Sequence, residues 1–170
     1  MRLSIHACGF VLALIPAMAM PQADGEKEVA ADRAFLQKAA QANIAEIEAG
    51  KLAQQRSRRE DVKQFGQQME KDHGETLGKL KTLAASKGVS LPDRPDEAHQ
   101  ALAAQLSRAE GSEFDRIYIG NAGVADHKAA KALFQQGAKS RDAEIKAFAA
   151  KTLPHIEHHL QMAERLAKTR

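Results

Sequence analysis

The sequence has almost no sulfur chemistry and few aromatic residues. One cysteine, Cys8, occurs in 170 residues, with one tyrosine and no tryptophan. A lone cysteine forms no internal disulfide and no Cys-rich metal cluster, so packing must carry the stability. Acidic and basic residues nearly balance, 22 against 25, and are interspersed along the chain. That pattern lacks the basic stripe with interleaved aromatics that nucleic-acid binding requires. There is no glycine-rich phosphate loop. There is also no alternation of strand length, which leaves an integral β-barrel without support.

The one long apolar run is N-terminal. Arg2 is followed by apolar residues 7–15 and by Ala17-Met18-Ala19, a small-x-small cleavage pattern. Together these predict a cleaved export signal over 1–19 and a periplasmic or otherwise exported product. The run is too short to span a bilayer, so no integral membrane segment is expected in the mature chain. Cys8 falls inside the signal. Residues 20–27 read as a polar, flexible leader and 28–167 as a single domain.

Within that domain apolar residues recur at helical spacing in four long stretches. The first, over 27–55, carries Phe35, Ala39, Ala42, Glu46, Ala49 and Ala53 on one seam. Its alanines allow a neighbouring helix to approach closely. The second opens on Ser57-Arg58-Arg59-Glu60, a capping-box pattern, and closes at Gly88, a C-terminal cap. Its seam is Val62, Gly66, Met69, His73, Thr76, Leu80 and Leu83. Pro92 and Pro95 then break the chain, and 96–110 holds a short helix. Ser112 with Asp115 reads as a second capping box. It starts a third stretch with Phe114, Ile117, Asn121, Val124, His127, Ala130 and Phe134 on its seam. The fourth uses Ile145, Phe148, Thr152, Ile156, His159, Ala163 and Leu166, with Pro154 inside it as a source of kinking. The expectation is an all-α four-helix bundle with a short extra helix between helices two and three. That connection is long enough to cross the bundle, as in ferritin-like folds. An up-down arrangement satisfies the same pattern.

Four metal-ligand types interrupt these seams, one per stretch: Glu46, His73, His127 and His159. At about 1.5 Å rise per residue all four fall within a turn or two of mid-helix, so they can meet at one level. Three imidazoles and a carboxylate suit one transition metal ion, zinc, iron, manganese or copper. Glu70, Asp72, Asp126 and His155 are placed to support that set. Glu70 stands three residues before His73, while Asp72 and Asp126 each precede an inward histidine and are suited to orienting partners. The alternative is a metal-free structural or interaction module of the cell envelope, in which the inward polar groups pair among themselves and fix helix register. No catalytic residue is assigned, and the balance favours a protein that is not an enzyme. No oligomeric state follows from the sequence.

The same residues carry a resemblance. Asp32-x-x-Phe35, the run Glu46-Ile47-Glu48-Ala49-Gly50-x-Leu52-Ala53, Val62-x-x-Phe65 and Met69-x-x-Asp72-His73 occur in order. Gly88-Val89-x-Leu91-Pro92, Phe114-Asp115-x-x-Tyr118-Ile119, Asp126-His127 and Leu153-Pro154 ahead of His159 follow. In this order they resemble the bacterial "domain of unknown function 4142" family (DUF4142), whose members are often labelled outer membrane or exported proteins. The resemblance implies a ferritin-like fold and names no reaction. Ferritin-like di-iron enzymes carry a second Glu-x-x-His, where this chain has Glu157-x-x-Leu160. The expectation is therefore a mononuclear, histidine-rich centre in a bundle serving metal storage, sensing or stress protection, rather than a carboxylate-bridged di-iron oxidase.

Overall fold

A computed structural model describes residues 22–169, so the signal reading over 1–19 and Cys8 lie outside the described residues. Within them the chain is all-helical. It runs α1 (Gln22–Arg56), α2 (Glu60–Ser86), α3 (Glu97–Leu106), α4 (Gly111–Tyr118), a π-helical segment (Ile119–Asp126), α5 (His127–Gly137) and α6 (Ala143–Leu166). No helix among the described residues is long and apolar enough to cross a membrane.

Two apolar clusters hold the helices together, one toward each end. One gathers Ala49 and Ala53 of α1, Phe65 and Met69 of α2, Phe114 and Tyr118 of α4, and Ala163 of α6. The other gathers Phe35 and Leu36 of α1, Leu80 and Ala84 of α2, Phe134 of α5, and Ile145 and Ala149 of α6. Along α1 and α6 the chain passes from the second cluster to the first. Along α2 and the α4–π–α5 stretch it passes from the first to the second. Helix α2 and that stretch are therefore parallel, and residues 87–110 must travel from one end to the other. They do so with Val89 and Leu91 on the second cluster and Leu102 and Leu106 on the first. The full-length crossover that the sequence left open is the arrangement found.

Local signals explain most helix ends. Gly88 has φ +65°. The Val89 N–H donates to the Ala84 carbonyl and the Gly88 N–H to Ala85, a Schellman cap that only a left-handed residue closes cheaply. Asp96 caps α3 by accepting from the His99 N–H. Asp142 caps α6 by accepting from Glu144 and Ile145, and α6 runs on through Pro154.

Several expectations are corrected. Helix α1 already begins at Gln22, and Gln22, Ala23, Glu26 and Lys27 are good helix formers that carry it past Asp24 and Gly25. The two capping boxes do not form. Helix α2 is entered at Arg59 and α4 at Glu110, neither with a side-chain cap. Ser57 instead donates to the Asp115 carboxylate at 2.5 Å. Both residues are buried, and a buried carboxylate needs such a donor. The third helical stretch changes winding. Through the π segment the phase shifts, so Asn121 turns outward while Ala122 and Gly123 turn in.

Helices α1 and α2 approach closely at Gly50 and Gly66. A Cβ added at Gly66 would stand 2.7 Å from the Gly50 carbonyl and 2.7 Å from the Ala53 Cβ. At Gly74, also in α2, an added Cβ meets nothing within 4 Å. Gly66→Ala is expected to lower stability by about 1–3 kcal/mol through overpacking against backbone. Gly74→Ala is expected to raise it by about 0.5–1 kcal/mol through helix propensity. Urea denaturation of the two variants checks the contrast; equal effects would contradict the packing described.

Candidate metal centre

Between the two apolar clusters every long stretch contributes buried polar side chains: Asn43 and Glu46 from α1, His73 from α2, His127 from α5 and His159 from α6. The three histidines meet. Their ring centroids form a nearly regular triangle, 5.5 Å on each side. One ring nitrogen of each lies within 4.8 Å of those of the other two. Three imidazoles bound tetrahedrally to one ion at about 2.0–2.1 Å would bring their ring centres to roughly 5 Å. The observed triangle needs little contraction to reach that.

Each ring has one nitrogen committed to an acceptor. The His127 Nδ1–H donates to the Ala122 carbonyl at 2.9 Å. The partner lies five residues back, within the π segment, a kind of winding often found at functional sites. The amide of Asn43 donates to the Ala39 carbonyl at 2.7 Å. Its oxygen is thereby left to accept from His73 Nδ1–H, at 2.9 Å. The His159 Nε2–H donates to the Asp72 carboxylate at 2.9 Å. A carbonyl, an oriented amide and a carboxylate can only accept here, so they fix all three tautomers.

The remaining nitrogens, His73 Nε2, His127 Nε2 and His159 Nδ1, are buried and have no hydrogen-bond partner. All three rings are held neutral. Burial pushes His73 well below the usual imidazole range, with His127 and His159 adding to the effect. Burial takes His127 down to about 4. It lowers His159 as well, against the opposing pull of Asp72. For Asp72 burial acts upward, but hydrogen bonds from Gln68 and His159 outweigh it and keep the carboxyl below its ordinary range. Three neutral imidazoles with unshared lone pairs are the form in which histidine binds a metal.

The other expected residues divide. Glu46 is buried beside the triangle, with Oε1 3.6 Å from His127 Nδ1. That nitrogen is the one engaged with Ala122, and Glu46 is not part of the three-histidine set. Both its oxygens lack partners. Burial, then the nearby Asp126, raises its carboxyl well above the usual range. Asp72 stands outside the triangle as the acceptor for His159. Asp126 faces His99 at 3.8 Å. Glu70 lies outside the cluster, accepting from Gln54 at 2.8 Å and facing Lys51 at 3.8 Å across α1 and α2. His155 is exposed and stands on the wall of the adjoining cavity.

Asn43 and His99 are not singled out by the sequence pattern. Asn43 sits one turn before Glu46 on an alanine-rich face, a polar residue on an apolar seam and thus a usable signal. His99 is half-buried and pairs with Asp96 at 2.8 Å. Tyr118 is fully buried with an unpaired hydroxyl. Burial, then Glu46, raises its phenol well above the usual range.

The profile of the family described as "Domain of unknown function (DUF4142)" matches residues 17–166. No curated protein and no solved structure is similar to the chain.

The neutral imidazoles set a pH dependence for the metal-free protein. Below about pH 6.5 the unfolded chain protonates its histidines. The folded chain resists, in the case of His127 down to about 4. The unfolded state then binds more protons, so stability falls as pH drops through this window. Glu46 acts in the opposite sense, because the folded chain protonates it first. Asp126, raised by burial, acts with Glu46, and the three rings outnumber these two carboxyls. Urea midpoints are expected to fall from about pH 6.5 to 4, and more steeply in Glu46→Gln. Midpoints flat across that range in both proteins would contradict the assignment.

Proposed function

We propose that this chain, which belongs to the DUF4142 family, is an exported, ferritin-like four-helix protein that binds one transition metal ion in its core. His73, His127 and His159 are the ligands. The observation that carries this reading is the set of three buried, unpaired nitrogens on rings whose opposite nitrogens are all tied down. A self-sufficient polar network would pair its own members, since an unmet buried acceptor costs about 1–3 kcal/mol. Here the outer partners are complete and the inner face is left open, as in histidine metal sites with ordered outer partners. An imidazole-only set suits zinc, copper or iron better than manganese, which prefers carboxylate oxygen. Glu46 is a buried carboxyl beside the centre with both oxygens unpartnered. We assign it to whatever fills the fourth position, as hydrogen-bond partner or as ligand. Storage, sensing or stress protection is the role this reading supports.

The crossover of residues 87–110 supports the ferritin-like assignment, and the pattern of residues 1–19 supports export.

Purified mature protein is expected to bind one ion per chain and to melt at lower temperature after chelation. The His73→Ala, His127→Ala double variant is expected to bind none. Asp72→Asn should weaken binding about 10–100-fold by loosening His159. Elemental analysis and calorimetric titration check these outcomes. Equal metal content in wild type and double variant would sink the ligand assignment. For export, mass spectrometry of the protein recovered from a periplasmic fraction should find a chain that begins at Met20. Recovery of the uncleaved chain in the cytoplasm would refute it.

A further inference from the structure

The three-histidine centre does not face a closed core. The three histidines line a cavity of about 620 Å³ whose walls also include Phe134 and Phe148 of the second apolar cluster. Ligand sites for organic molecules fall in the range of about 300–1,000 Å³. A cavity needed only to pass a hydrated ion would not require this room.

The walls have a direction. Beyond the histidines they turn apolar and aromatic, with Ala130, Leu133, Phe134, Phe148 and Ile156. Three lysines border the same cavity: Lys38 from α1, Lys79 from α2 and Lys151 from α6. All three are exposed, and among the described residues none has a carboxylate within 4.0 Å. The carboxylates along the cavity are mostly engaged. Asp72 holds His159, while Asp96 and Asp126 flank His99. Glu75 is the one exposed acid on the wall with no ion pair among the described residues.

A divalent ion on three neutral imidazoles keeps its full charge. An open coordination position on it therefore favours an anion. Free lysines at the rim raise the local concentration of anions. The aromatic wall removes an apolar body from water.

We propose that the cavity takes a small organic acid with an aromatic-sized apolar body, its carboxylate on the metal side and its body against Phe134 and Phe148. This rests on the metal-binding reading above and adds the ligand class to it. The lysines guide entry and are not required for seating the body.

Cobalt(II) serves as the probe metal, and its visible absorption band reports ligands at the open position. Azide, acetate and 3-phenylpropionate are titrated into the cobalt-loaded protein. The expected result is that all three perturb the band, with 3-phenylpropionate at least about 10-fold tighter than acetate. Leu133→Trp, nearly two turns beyond His127 on α5, fills the apolar end and should remove that preference, leaving cobalt content and the azide response unchanged. Thr152→Phe, on the facing wall, provides a second blocking variant should the first fail to fold. Lys79→Glu with Lys151→Glu should slow 3-phenylpropionate association about 10-fold at low salt, with little effect at high salt.

Failure to take up cobalt would overturn the metal reading, and this proposal with it. Cobalt uptake with an azide response but no preference for 3-phenylpropionate over acetate would overturn the organic-acid proposal alone. So would a preference that survives both blocking variants, or a band that no added ligand changes.

Discussion

A neutral imidazole buried away from water needs an acceptor for its one N–H, and this bundle provides three from three different sources. A carbonyl in a π-wound segment, an amide locked by its own donor bond and an ionised carboxylate each hold one ring. Because each acceptor fixes a tautomer, it also decides which nitrogen keeps its lone pair. The cluster is therefore defined from outside inward, and the ligand face is a by-product of how the outer nitrogens are satisfied. Losing an acceptor would free its ring to turn and pair elsewhere. Asn43, which never enters the cluster, thus has as much bearing on its geometry as a ligand does.

The surrounding fold makes this arrangement tolerable. Desolvating three imidazoles and a carboxyl at one level costs stability. The apolar clusters lie above and below that level, where Phe65, Phe114 and Tyr118 pack at one end and Phe35, Leu36 and Phe134 at the other. The glycine contact between α1 and α2 fixes the spacing of those two helices at the first cluster. With both ends packed, the middle can hold polar groups and open space without the helices collapsing onto it.

Much of this is legible in the sequence, because helical spacing converts residue number into depth and face. Glu46, His73, His127 and His159 interrupt seams of aliphatic residues at similar heights, and all four are buried as that pattern implies. The legibility ends where the winding changes. A helix of constant pitch puts Asn121 and Val124 on the inner face, whereas the π segment brings in Ala122 and Gly123. No periodicity reveals a wider turn in advance, although Gly120 and Gly123 mark a stretch where one is inexpensive. The capping boxes fail for a related reason. Ser57 and Asp115 have the right local spacing for caps, but they are 58 residues apart in sequence and find each other in the fold. A contact of that range leaves no local signature. The direction of the long connection was equally hidden, since mid-helix residues meet in either topology.

The crossover of residues 87–110 divides the chain into two hairpins, α1 with α2 and α4–α5 with α6, and the centre draws on both. His73 belongs to the first hairpin, and His127 and His159 to the second. Neither half carries the whole triangle, however well its own helices form. The centre exists only where the two halves are docked. An extended or half-folded chain of this sequence therefore holds no competent binding site, and a fragment ending before α4 would hold a single one of the three rings.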